Sequence, residues 1–282
     1  MSENKKLEDL AGELKVAITS LSEDFKGTGL TDKDIQERIK PQIDRIQELI
    51  QNRVIESGDI EALLKTVNSH VILPGIDREG NPIEYIVDFD VEITPRGFLE
   101  IRPGARLHFA EEAGILCYGV LQAKGLVTMP ITFTAEDEMW RNITFAGSFS
   151  DTSYLRYCQI RLGSGRKVIP SKHGFSQYGD GNISMGGGIL IVRASPTLFA
   201  CKIEANWAKM GGGLYADQSC VHISCCEFGG NRSGMITSAD REHANHLRFI
   251  NCSITARDNI IDTITRMHDY DPVEYVFKYG RQ

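Results

Sequence analysis

Residues 185–231 read Met-Gly-Gly-Gly-Ile-Leu-Ile-Val-Arg-Ala-Ser-Pro-Thr-Leu-Phe-Ala-Cys-Lys-Ile-Glu-Ala-Asn, then Trp-Ala-Lys-Met-Gly-Gly-Gly-Leu-Tyr-Ala-Asp-Gln-Ser-Cys-Val-His-Ile-Ser-Cys-Cys-Glu-Phe-Gly-Gly-Asn. One unit is written twice. Gly188 and Gly213, Cys201 and Cys226, and Asn206 and Asn231 each stand 25 residues apart. A fixed period in the twenties with short apolar runs between Gly and Asn breaks is the signature of a stacked solenoid. Runs of four or five residues rich in Ile, Leu, Val, Phe and Tyr are too short for helices and suit strands. The Gly triplets and the Asn residues are expected to supply positive φ at the corners. One unit cannot bury its own apolar face. Stacked on the next, about 4.8 Å away, it forms a parallel sheet and a shared core.

The cysteines extend the pattern. Cys158, Cys201, Cys226 and Cys252 each follow an apolar run and precede one residue and then Ile or Phe. Stacking puts like on like, so these read as a ladder of small buried thiols. Their intervals do not give metal-ligand spacing. Free thiols are favoured over disulfides because the chain opens on a charged segment rather than a secretory leader. The same opening points to the cytoplasm, although a chain from which a leader had been removed would read the same. The formal net charge of −7 argues against duplex nucleic acid as a partner. The sequence also lacks an apolar run of the roughly 18 residues that a membrane span needs.

Residues 1–72 carry helical patterning. Leu7, Leu10, Leu14, Ile18, Leu21 and Phe25 form one stripe, and Ile35, Ile39, Ile43, Ile46 and Ile50 a second. Pro41 should kink or divide the second, and Ser57–Val67 reads as a third, short helix. A cap on the first coil and an oligomerisation or docking device fit this segment equally. Residues 73–282 read as the solenoid, with a C-terminal cap near 257–282. In that cap Ile260, Ile261, Ile264 and Met267 suggest a short helix.

From Gly97 the strand texture is dense: Gly97–Ala110, Ala113–Gly125, Pro130–Ala135 and Trp140–Phe145. With the Gly-Gly-Gly-Ile/Leu and Asn-Cys-Ser-Ile phrases, residues 95–255 resemble right-handed parallel β-helix proteins of the pectate-lyase-like superfamily. The resemblance implies a mainly β fold, a right-handed parallel β-helix. It does not imply one activity, because that superfamily holds lyases, hydrolases, epimerases, phage tail proteins and non-catalytic scaffolds.

Two interruptions break the repeat. Cys158 to Gly188 is 30 residues where Cys201 to Gly213 is 12, so 18 residues are inserted near 164–181. A second insertion of about five residues is placed near 240–245 by the same counting. Loops that leave a rigid solenoid are where function concentrates. Lys172 and His173 lie in the first, Arg241 and His243 in the second. Between them, alternation points Leu190, Tyr215 and Ile236 outward in one stack and Val192, Asp217 and Ser238 in the next. The expectation is an exposed apolar–aromatic groove binding sugar rings or partner side chains, unless a loop or the tail covers it.

The resembling enzymes need paired aspartates with Gly-His-Gly and Arg-Ile-Lys, or a calcium-binding carboxylate cluster with an Arg base. Here His173 follows Lys172 rather than Gly. Arg38-Ile39-Lys40 falls in the helical segment, and only Asp217 lies on the stripe. Asp240, His243 and His246 are a weak metal set. No Walker loop, Gly-x-Ser-x-Gly or Cys-x-x-Cys occurs, so no cofactor is expected. The reading is a non-catalytic scaffold for a protein partner or for self-association, with the site at Leu190, Tyr215, Asp217, Ile236, Lys172, His173, Arg241 and His243. The alternative is a carbohydrate-active enzyme working in the groove.

Overall fold

The computed structural model describes residues 54–170, 172–174, 178–179, 181–233, 247–250, 253–257 and 260–261. The two N-terminal stripes lie outside them. The chain passes the same three stations again and again. It starts with β1 (Val54–Ile55), helix α1 (Ser57–Leu64), β2 (Thr66–Val67) and β3 (His70–Leu73). Next come β4 (Glu84–Val87), β5 (Val91–Ile93) and β6 (Phe98–Ile101), then β7 (Arg106–Phe109), β8 (Ile115–Cys117) and β9 (Val120–Lys124). β10 (Ile131–Ala135), β11 (Ile143–Ala146) and β12 (Tyr154–Arg156) follow, then β13 (Cys158–Arg161), β14 (Ile189–Val192) and β15 (Thr197–Phe199). The next coil has β16 (Lys202–Glu204), a short β17 (Trp207–Ala208), β18 (Leu214–Asp217) and β19 (Cys220–Ser224). The last strands are β20 (Glu227–Gly229), β21 (Arg232–Ser233), β22 (Leu247–Ile250), β23 (Ser253–Arg257) and β24 (Ile260–Ile261).

Each strand of the three main sheets pairs in parallel with its counterpart one coil away. Sheet I holds eight strands from β1 to β24, sheet II seven from β2 to β22, and sheet III seven from β3 to β23. The fold is a mainly β parallel solenoid. Its described coils start with Val54, inside the segment read as helical, and α1 buries Ile60 and Leu64 in the first of them. Ile260 and Ile261, expected in a helix, extend sheet I by pairing with Glu227 and Phe228.

The period explains the packing. In sheet II, Ile93, Cys117, Phe145, Ile191 and Ala216 stand in register and all point into the core. Each fully buried Ile or Phe contributes about 1.5–3 kcal/mol. Cys158, Cys201 and Cys226 form the expected buried thiol ladder, in register with Ile131. Cys252 lies outside the described residues, and the register does not continue toward it. Glu227 pairs with Ile260, whereas Ser253 pairs with Cys220.

The corners are built differently from the sequence expectation. Gly186 (φ 58°) and Gly211 (φ 62°) do take the left-handed conformation. Gly187 is needed for close approach instead, since a Cβ there would stand 2.0 Å from the Gly212 carbonyl oxygen. Asn206 and Asn231 do not take positive φ; the residues before them, Ala205 (54°) and Gly230 (60°), do. The Asn side chains bridge coils. Asn206 Nδ2 donates to Ile160 O (3.0 Å) and to Asn231 Oδ1 (2.9 Å), and its Oδ1 accepts from Gly163 N (2.8 Å). Buried carboxamides here satisfy backbone groups that the turning chain leaves unpaired.

Candidate functional site

The outward row of sheet II runs Glu92, Leu116, Thr144, Leu190, Tyr215, with Arg248 next in register. Alternation therefore placed Leu190 and Tyr215 on the correct side. They belong to a second apolar cluster, outside the coil core, with Leu116, Tyr118, Ile169, Met185 and Val192. Among the described residues the expected groove is nevertheless covered rather than exposed. Leu190 is 0% exposed, Tyr215 4% and Asp217 8%. The neighbour of Tyr215 on the next coil is Arg248, not Ile236. Ile236, Arg241 and His243 lie outside the described residues, as do Asp240 and His246.

The first insertion covers this face. Residues 162–188 link β13 to β14, where 205–213 suffice one coil later. The extra chain turns back on itself as a hairpin. Arg166 and Met185 exchange backbone hydrogen bonds of 3.1 Å, and Ile169 N donates to Tyr178 O at 3.1 Å. Its apolar side chains Ile169 and Met185 complete the second cluster, with Tyr178 and Ile183 packed against it. The insertion thus converts a row that a bare solenoid would expose into a second, buried apolar interface.

Polar contacts fasten the hairpin at three points. Tyr178 Oη donates to Asp217 Oδ2 at 2.9 Å and lies 3.3 Å from Tyr215 Oη. Burial pushes the Tyr178 hydroxyl far above its ordinary value, reinforced by Tyr215 and Asp217. Asp217 Oδ1 has no hydrogen-bond partner among the described residues. At the second point Lys172 Nζ donates to Glu92 Oε2 (2.9 Å), and His173 Nε2 lies 2.6 Å from Glu92 Oε1. Burial would raise the Glu92 carboxyl, but the contacts from Lys172 and His173 outweigh it and hold it below its ordinary value. His173 also packs edge-on against Tyr118, at a centroid distance of 4.6 Å. Tyr118 Oη in turn donates to Pro170 O at 2.7 Å, and burial pushes this hydroxyl up to about 12. At the third point Asp90 receives both Arg166 Nη1 (3.0 Å) and Nη2 (2.8 Å), together with Arg141 Nη1 (2.6 Å).

Leu190, Tyr215 and Asp217 are thus brought together beneath Tyr178, while Lys172 and His173 are drawn to Glu92 at the far end of the same row. Sequence reasoning missed Glu92 and Asp90 as the receivers. Glu92 carried a readable signal: it stands between Val91 and Ile93, so alternation turns it outward beside Leu116. Asp90 precedes β5 and carried none. Chemically, Asp217 accepts from the Tyr178 hydroxyl, and among the described residues no second carboxylate is shown in contact with it to share acid–base work. Among the described residues, no three His, Cys, Asp or Glu side chains are grouped to hold a metal ion.

The class these features define is a parallel β-solenoid whose insertion hairpin is folded onto one of its three faces. No protein-family model, curated protein or solved structure matches the chain. Among the described residues, no helix is long and apolar enough to cross a membrane.

Proposed function

We propose that the chain is a right-handed, pectate-lyase-like β-helix acting as a non-catalytic scaffold, which binds a protein partner or itself. Its N-terminal segment serves docking or self-assembly. The handedness rests on a general rule: parallel connections returning to the same sheet are right-handed in about 98% of cases. The role rests on one observation. The groove where a ligand would lie is filled by the chain's own hairpin, and Tyr178, Lys172, His173 and Arg166 are all spent on intramolecular partners. An enzyme working there would need Asp217 to meet substrate, yet Asp217 is 8% exposed and bonded to Tyr178.

The test is to incubate the full chain with neutral and uronic-acid polysaccharides, following new reducing ends and the absorbance of unsaturated uronates. No product is expected. Turnover that Asp217→Asn abolishes would replace the scaffold reading with the carbohydrate-active one.

A further inference from the structure

The outward positions of sheet I carry charges that pair along the stack, such as Arg106 with Glu84 (3.2 Å) and Lys202 with Glu227 (3.1 Å). Sheet II is built differently. Its outward side chains Leu116, Tyr118, Leu190, Val192 and Tyr215 join Ile169 and Met185 of the hairpin in a cluster separate from the core inside the coils. The hairpin therefore docks on an interface of its own. Two glycines bracket it: Gly165 (φ 76°) and Gly186 (φ 58°) flank the bridged pair Arg166 and Met185. Glycine is where a backbone re-aims at least cost. Outside this bracket the chain is bolted to neighbouring coils, Ser164 N donating to Trp140 O (2.7 Å) and Gly187 N to Gly211 O (3.0 Å).

Hairpin and face carry opposite charge. In sequence the hairpin brings Arg166, Lys167 and Lys172 against the single carboxylate Asp180. The coils beneath it bring Asp90, Glu92 and Asp217, with Arg141 bonded to both Asp90 and Glu112 at the rim. Such a hairpin is drawn to such a face, while two faces or two hairpins repel each other. Every fastening also joins a hairpin side chain to a coil side chain: Tyr178 to Asp217, Lys172 and His173 to Glu92, Arg166 to Asp90. None of these contacts requires that hairpin and coils belong to one copy.

We infer that two copies of this chain associate by exchanging the hairpin closed by Arg166 and Met185, each hairpin seating on the sheet II face of the other copy. The inference rests on the scaffold reading above and names a second copy as the partner. Exchange replaces each contact by the same contact across copies, which makes it a low-cost route to a symmetric dimer. The reach suffices. Asp90 and Asp217 are fastened four strand spacings apart in sheet II, from β5 to β18, or about 19 Å. A hairpin of about ten residues a side, released at Gly165 and Gly186, extends to about 33 Å. Repulsion between like faces leaves reciprocal exchange as the favoured way for two sheet II faces to meet.

The experiment uses the full chain. Nitrogen-14 and nitrogen-15 preparations are mixed, held briefly below about pH 4 to free the Glu92 fastening, and returned to neutral pH at high concentration. Lys172 Nζ lies 2.9 Å from Glu92, so a zero-length carbodiimide joins the two, and mass spectrometry of the Lys172–Glu92 amide reports whose face each hairpin occupies. Mixed-isotope amides are expected in a dimer fraction. A second reading uses Asp90→Lys and Arg166→Glu, which each set like charges together at the third fastening. Mixed, the unaltered Arg166 of one meets the unaltered Asp90 of the other, and the two substituted positions also meet with opposite charge. The mixed dimer should exceed either single-variant dimer by about tenfold in native mass spectrometry. Amides of one isotope only overturn the exchange, including those from a dimer, which would then form through another face. So does a mixture of cooperatively melting variants with no mixed dimer. Either failure without polysaccharide turnover removes the exchange alone; turnover that Asp217→Asn abolishes removes the scaffold reading itself.

Discussion

Replacing Asp90 by alanine should release the hairpin while leaving the coils intact. The Arg166 side chain is 3% exposed, and its two terminal nitrogens both donate to Asp90. Its Nε has no partner among the described residues, so Asp90 supplies the neutralisation. Removing one member of a buried pair costs about 3–5 kcal/mol, because the other charge stays buried and alone. Asp90 is 28% exposed, so water can partly replace it, and the lower end, about 3 kcal/mol, applies. If that loss falls on local opening, exchange of the hairpin amides should speed up by about 150-fold. The amides to follow are those of Arg166, Ile169 and Met185, which donate across the hairpin. Amides of β11 and β14, held between coils, should change little. Hydrogen exchange read by mass spectrometry measures both sets at once. Arg166→Met removes the buried cation together with its need for a partner. It should cost less than Asp90→Ala and recover most of the loss in the double variant, a coupling of about 2 kcal/mol. Equal acceleration in hairpin and coils would show that the hairpin is no separate unit. Unchanged exchange in Asp90→Ala would show that the pair contributes nothing.

Acid should loosen the same hairpin at its second fastening. Lys172 and His173 hold the Glu92 carboxyl below its ordinary value, so the stabilisation is present above the unfolded pKa and lost as pH falls through the folded one. Hairpin protection, corrected for intrinsic exchange, should fall below about pH 4, and Glu92→Gln should flatten that dependence. Brief alkylation of the native chain should label Cys220 and Cys225, which are exposed, and spare Cys117, Cys158, Cys201 and Cys226 until unfolding. Burial pushes the Cys117 thiol up to about 12 and that of Cys201 upward as well. Labelling of Cys158, Cys201 or Cys226 in the native chain would refute the ladder. Gly187→Ala should cost about 3 kcal/mol or more in a denaturant melt, its Cβ falling on the Gly212 carbonyl. Gly229→Ala, which meets nothing within 4 Å, should be close to neutral.

The sequence showed the solenoid because stacking repeats its demands at a fixed interval. Gly188/Gly213 and Cys201/Cys226 keep that interval within the register of paired strands. Local pattern could not say which of three corners a phrase belongs to. The Cys252 phrase looks like the ladder phrase, but strand pairing takes Ser253 to Cys220 and the ladder register on to Ile260. The second insertion was undercounted for that reason. From Lys202 to Glu227 is 25 residues and from Glu227 to Ile260 is 33, so that coil is eight longer. Alternation found the outward row but not its cover. Cover depends on contacts far apart in the chain, such as Tyr178 with Asp217, 39 residues on, and His173 with Glu92, 81 residues back.

The outward row of each sheet reports what lies over it, and that gives a last prediction a definite sign. Paired charges on sheet I fit water, and the apolar row on sheet II fits the hairpin. Beside sheet III, in the segments that flank β12, Val127 and Phe149 are more than half exposed, so replacing both by serine removes little buried surface. Surface changes of that kind shift stability by less than about 0.5 kcal/mol. A melt of Val127→Ser/Phe149→Ser within that range is the outcome that two solvent-facing side chains require. A loss above about 1 kcal/mol would mean that these side chains pack on their own solenoid.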